Sequence, residues 1–249
     1  MNLLRKEFDK YSFNARVMPA FFLVFPVVIT ILTWYEPSRS WGGVVTTFIV
    51  TFGIISFAAN QLSTKGNILQ NRLFEKWGGA PTTIIMRYSD STLDRYTKKR
   101  YLTKLATLIP SFPKITPELE KLKPKEVDEL YRSATNYLRE KTRDPKHYPL
   151  VLKENINYGF SRNIRAVKWL GLTLTISSLG SSLGVLWYKH LKDVSSPNID
   201  LIFTIPFVHI SIAPLLFLII FTWCFWVTEK WVKIRAFAYA RALFSSCEK

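Results

Sequence analysis

The chain has 249 residues, a formal net charge of +16 and 48% hydrophobic residues. Two cysteines, Cys224 and Cys247, and three scattered histidines, His147, His190 and His209, exclude a disulfide framework and a Cys/His metal cluster. They also exclude any Ser/His/Asp or HExxH set built from spacing. The hydrophobic fraction averages two unlike parts: four long uncharged apolar runs and a strongly basic remainder.

The apolar runs are Val17 to Tyr35, Ser40 to Thr64, Trp169 to Tyr188 and Leu201 to Thr228. Each is long enough at about 1.5 Å per residue to cross a hydrocarbon core of roughly 30 Å. The fold class read from this is an all-α membrane protein with four transmembrane helices and a mainly α-helical basic cytoplasmic domain between spans 2 and 3. The divisions are residues 1–16 (N-terminal segment), 17–64 (first hairpin), 65–168 (basic domain), 169–228 (second hairpin) and 229–249 (C-terminal helix). The first run leads through Glu36 and Arg39 straight into another span, which reads as a span and not as a cleavable leader.

Lys and Arg number 4 before the first span, 22 between the second and third and 5 after the fourth, leaving only Arg39, Lys189 and Lys192 in the hairpin connections. The positive-inside bias therefore puts both termini and the middle domain in the cytoplasm. Against its 22 cations the middle segment carries 11 acidic residues. That surplus exceeds what orientation requires and points to an anionic partner: nucleotide, nucleic acid or lipid head groups.

The first span is bulky and uniform and is expected to be peripheral, with Pro19 and Pro26 as kink points. The second mixes Thr46, Thr47, Thr51, Ser56 and Asn60 with large apolar residues. It is predicted to run on past the membrane through Ile68, Leu69, Leu73, Phe74 and Trp77 until Gly78 and Gly79 stop it. The loop WGGAPTT beside Lys76 and Arg87 reads either as a phosphate cradle or as a Gly-Pro turn, and IIMRY after it as β-prone.

A helix is expected from Leu93 to about Leu108, started by a capping box between Ser91 and Asp94. It carries Arg95, Lys98, Lys99, Arg100 and Lys104 interleaved with Tyr96 and Tyr101. Cations that hold phosphates and rings that stack bases suit a single-stranded or cyclic nucleotide, against the plainer reading of a solvated face. Prolines 110, 113, 117 and 124 form a linker to a structural helix over Pro124–Lys141. KENINYGFSRNIRAVK (153–168) then returns to the membrane with Arg162 and Arg165, which suit a ligand or acidic lipid heads equally.

In the third span Thr173, Ser177, Ser181 and Gly184 share a face, with Gly180 and Gly184 in GxxxG register. This face serves close helix packing, pore lining or both. In the fourth, His209 between Pro206 and Pro214 is the one ionisable side chain within an apolar run. At about 12 Å from Leu201 it is expected near mid-membrane, either hydrogen-bonded to a neighbouring helix or lining the pore. Trp34, Tyr35, Trp41, Trp187 and Tyr188 read as one interfacial belt, and Trp169, Trp226 and Trp231 as the other. No catalytic residue, cofactor or metal site is expected.

Two pairs of spans around a basic domain, with WGGAPTT, TLDRYTKKRY and KENINYGFSRN, resemble the four-span membrane effectors of bacterial anti-phage defence, the Hailong type in particular. The resemblance implies a homo-oligomeric, tetrameric inner-membrane channel whose opening depolarises the infected cell. It also implies a ligand oligonucleotide made by a partner nucleotidyltransferase, which holds the channel closed. The rival reading is a non-conducting membrane anchor whose basic domain holds a partner protein or anionic lipid.

Overall fold

A computed structural model describes residues 10–194 and 203–249, and among these there is no strand. Four helical stretches are long and apolar enough to cross a membrane: Lys10–Trp34, Trp41–Ile84, Lys168–Leu191 and Phe207–Trp226. The chain is thus a multi-pass membrane protein. The expected start of the fourth run at Leu201, and most of the N-terminal segment, lie outside the described residues.

Ten α-helices are found among the described residues: α1 (Met18–Trp34), α2 (Trp41–Trp77), α3 (Pro81–Ile84), α4 (Arg95–Leu108), α5 (Pro117–Leu122), α6 (Pro124–Lys141), α7 (Pro149–Ala166), α8 (Lys168–Leu186), α9 (Phe207–Phe221) and α10 (Glu229–Ser245). Their contacts divide the chain into two compact units. One holds Phe13–Gly66 and Asn163–Glu229; the other holds Asn67–Arg162 and Lys230–Lys249 with the described residues up to Ser12.

In the four-span unit α1, α8 and α9 pack on one another. Leu179 of α8 meets Ile212 and Leu216 of α9, with Ile29 and Trp34 of α1 packed alongside. Close approach is possible because the inward face of α8 is small: Gly171, Thr175, Ser178 and Ser182 are buried there. A Cβ on Gly171 would stand 2.3 Å from Cζ2 of Trp223, so only glycine lets that indole lie against the α8 backbone. Two buried hydroxyls within the spans bond back along their own helices, Thr33 to Ile29 O at 2.8 Å and Thr175 to Gly171 O at 2.7 Å, which removes the cost of those donors in an apolar setting.

The expectation that the first span is peripheral is corrected. The apolar windows of the first and third spans are 28% buried, and that of the second only 11%. Bulk did not decide the matter, because α1 packs against both α8 and α9. In α2, Ile55, Ala59 and Leu62 are buried while Phe48, Ile49, Phe52 and Phe57 are exposed.

The polar unit has one core. Leu73 near the end of α2 joins Ile85 and Met86, Leu102 and Leu105 of α4, Val127, Tyr131 and Leu138 of α6, and Val232, Ala236, Leu243 and Phe244 of α10. The C-terminal helix therefore shares a core with the middle segment. As expected, α2 runs uninterrupted through 37 residues to Trp77. It ends in a Schellman pattern, with Gly78 N–H on Glu75 O at 3.1 Å and Gly79 N–H on Phe74 O at 2.8 Å. Gly78 has φ +82°, a conformation that glycine adopts without strain.

Two local expectations are corrected. IIMRY is not extended: Pro81 opens the short α3, and Ile85 and Met86 follow in turns with both side chains buried in the core. Burial, not strand pairing, accounts for those apolar residues. The next helix starts at Arg95, with Asp94 itself the N-cap accepting from Thr97 N–H at 2.8 Å, so Ser91 does not start it.

Candidate ligand site

The expected cations separate into groups of different character. Arg87 makes a two-point bond to Asp128, at 2.9 and 2.6 Å, and donates to Gly78 O at 2.9 Å. Its pKa is raised, chiefly by the bond to Asp128. Lys98 is 3% exposed and donates to the carbonyls of Arg87 and Asp90 (2.7 Å for Asp90). Burial depresses its pKa, and Asp90 and Glu120 oppose that effect. Both side chains thus hold the 87–90 turn, which Glu120 supports from α5 by accepting from Tyr88 N–H and from Tyr131 Oη. The glycine amides of WGGAPTT serve the α2 cap, so the turn reading describes that loop.

Arg95 and Lys98 border a groove that also contains Asp90, Asp94 and Glu120, whose carboxylates offset its cations. Lys99, Arg100 and Lys104 line a separate, open groove with Tyr96, and there Arg100 is paired with Glu248. One helix, α4, therefore presents its basic residues to two different surfaces. Lys76 is exposed. In the four-span unit Arg165 lies 3.5 Å from Glu229, while Lys168 donates to Cys224 O and Val227 O at 2.9 and 3.1 Å. The latter places a cation on carbonyls released where the last span ends in a π turn at Thr222–Trp226.

Arg162 belongs to a third place, and this one is built as a site. A cavity of about 510 Å³ in the polar unit is lined by Arg139 from the end of α6, Arg143 from the turn after it, Asn155, Tyr158 and Arg162 from α7, Gln70 from α2, Tyr239 from α10, and Tyr11. Asn155, Tyr158 and Arg162 stand at i, i+3 and i+7, so one face of α7 presents all three. Gln70 Oε1 accepts from Tyr158 Oη at 2.9 Å and from Arg162 Nη1 at 2.7 Å. The Tyr158 and Tyr239 rings lie nearly parallel, 11° apart with centroids at 6.3 Å, and the Arg162 guanidinium sits 5.7 Å from the Tyr158 ring centre.

Burial raises the pKa of Tyr158 and of Tyr239; Arg162 opposes this at the first, and Arg139 at the second through its charge and a hydrogen bond. Three guanidiniums face one carboxylate, Glu140, which is engaged at 2.7 Å by Arg143. Planar cations, stacked phenol rings and amides around a cavity of this size suit an anionic ligand with aromatic or ring-shaped parts. The sequence reading found Arg162 and missed Arg139, Arg143, Tyr239 and Tyr11, which come from segments up to 228 positions apart. Only the arginine pair at the end of the α6 pattern was visible as a local signal.

The expected pore-face residues also have defined places. Thr173, Ser177 and Ser181 are exposed on α8, opposite its packed face. A Cβ at Gly180 or Gly184 would meet nothing within 4 Å. His209 is buried in the first turn of α9, which begins at Phe207. It meets His190 at 3.0 Å between Nδ1 and Nε2, and stacks on Trp34 with centroids 4.4 Å apart. Cys224 and Cys247 are both free thiols.

No known protein family, curated protein or solved structure matches this chain.

Proposed function

We propose that the chain is a homo-oligomeric, ligand-gated membrane channel whose polar unit senses a nucleotide or short oligonucleotide. The observation that carries the ligand half of this reading is the Arg139, Arg143, Arg162 and Tyr158, Tyr239 cavity: it brings charge for phosphates and rings for bases to one place. Gln70, which both Tyr158 and Arg162 engage, lies on α2, the same uninterrupted helix that forms the second span. A ligand that draws Arg162 or Tyr158 toward itself therefore bears on a transmembrane helix directly.

The conducting half of the reading is supported by the hydroxylated face of α8. Thr173, Ser177 and Ser181 are left uncovered by the protomer, and Gly180 and Gly184 leave room for a neighbouring backbone. Copies arranged about an axis would turn these uncharged polar groups toward one another and line a water path without placing a charge in lipid. A cytoplasmic polar unit, a bacterial inner-membrane setting, a tetramer and a role in anti-phage defence complete the proposal. Expected ligand chemistry is that of a nucleotidyltransferase product.

The test is ion flux from liposomes carrying the purified full chain, with and without short single-stranded DNA or cyclic dinucleotides. Flux that one of these probes switches on or off supports the channel. Ligand binding without flux in any condition replaces it with a non-conducting anchor, a reading that the open Lys99, Arg100 and Lys104 surface also suits.

A further inference from the structure

We propose that a further groove, between the end of α2 and α10, is a binding site for the head group of an anionic phospholipid. α10 begins at Glu229, three residues after the last apolar run ends at Trp226. Connectivity thus keeps Glu229 within roughly 10 Å of the end of that run. Lys230, Lys233 and Arg241 line a groove of about 550 Å³ on this helix. Lys230 and Arg241 are about 16 Å apart along the axis, with Lys233 between them. Among the described residues no carboxylate pairs with any of the three.

Lys230 sits in the first turn, where the helix dipole disfavours a cation, so helix stability does not account for it. The one carboxylate in the groove, Asp90, already accepts from Thr92 N–H at 2.9 Å. Beside the cations the groove wall is apolar. Ile234 is 53% exposed, and Lys233 Nζ lies 5.6 Å from the centre of the Phe237 ring and 6.0 Å from that of Trp77. A soluble phosphate has no use for this wall. A phospholipid has: its phosphate meets Lys230 and Lys233, and its glycerol and first methylenes cover Ile234 and Phe237.

The test is native mass spectrometry of the full chain released from neutral detergent with phosphatidylglycerol, phosphatidylcholine or inorganic phosphate added. Wild type should retain one phosphatidylglycerol per chain in preference to phosphatidylcholine, and excess inorganic phosphate should not displace it. The K230Q/K233Q pair should lose roughly tenfold to thirtyfold in phosphatidylglycerol affinity. K233R should keep it, and I234N should weaken it without altering charge. Equal retention by K230Q/K233Q, equal retention of both lipids, or displacement by inorganic phosphate would overturn the proposal. If K230Q/K233Q fails to fold, the wild-type competition and I234N decide. The site does not require conduction: loss of flux with lipid selectivity intact would remove only the channel reading.

Discussion

Lys98→Met separates a structural cation from a ligand-binding one. The substitution keeps the aliphatic stem that packs beside the α4 core and removes an ammonium that is 3% exposed. Two carbonyls, of Arg87 and Asp90, then lose their donor. Charge-assisted bonds of this kind contribute about 1.5–3 kcal/mol each, and the buried ammonium costs part of that in desolvation, leaving a net loss of about 2 kcal/mol. Hydrogen exchange by mass spectrometry on the detergent-solubilised chain should show peptides spanning 87–98 opening roughly thirtyfold more often. Affinity of the Arg139, Arg143 and Arg162 cavity for a DNA oligonucleotide should stay within about twofold, since the two places have no lining residue in common.

The same lysine has a pH signature. Its folded pKa is depressed from the ordinary 10.5, so between the two values the unfolded chain binds more protons. Stability gained from this group therefore rises with pH through that window, and its cost is fully present below it. Wild type should show the rise and Lys98→Met should not. Unchanged exchange in the 87–98 peptides, or loss of oligonucleotide binding with the fold intact, would refute the structural assignment.

Replacing Gly171 by Leu drives a side chain into Trp223, and overpacking of this kind costs about 1–3 kcal/mol; thermal unfolding in detergent should fall and aggregation on size exclusion rise, whereas Gly180→Ala, with open space around it, should leave the protomer's stability within about 0.5 kcal/mol. Arg139→Gln with Arg143→Gln should weaken binding of a short single-stranded DNA roughly tenfold to a hundredfold and reduce the slope of log affinity against log salt by about 1.4, both read by fluorescence anisotropy. Tyr131, Tyr158 and Tyr239 have raised pKa values because they are buried. The unfolded chain releases these protons near 10, so stability they support below that pH is lost as pH rises above it; tyrosinate absorbance should lag behind that of exposed tyrosines until the polar unit unfolds.

Much of the helical layout was legible because uncharged length and lysine-arginine content act independently of tertiary detail. The end of α2 could also be read, since paired glycines after an apolar helical pattern provide a Schellman cap. IIMRY misled because a short apolar run has the same composition whether it pairs as a strand or turns into a core, and only the positions of Tyr131, Leu138 and Phe244 decide that. First-span burial was illegible for a related reason: it depends on packing against α8 and α9, more than 130 positions away.

At the ligand site, sequence clustering exposed the cations of α4 but not their loyalties. Lys98 is turned inward onto carbonyls and Arg100 is paired with Glu248. The cavity instead gathers single residues from α2, α6, α7 and α10, each unremarkable in its own segment. His209 was visible as an ionisable group within an apolar run, whereas its partner His190 could not be assigned without the hairpin geometry.

The central claim is that ligand binding in the polar unit controls conduction along the α8 hydroxyl face, and one comparison tests it most directly: probe-dependent ion flux from liposomes for wild type, Arg139→Gln/Arg143→Gln and Ser177→Leu/Ser181→Leu in parallel. Wild-type flux should change with an oligonucleotide or cyclic dinucleotide. The arginine variant should show the same flux with and without that probe, and the leucine variant should bind it normally yet carry no current. Wild-type flux absent under every condition, or a leucine variant that conducts as well as wild type, would contradict the account.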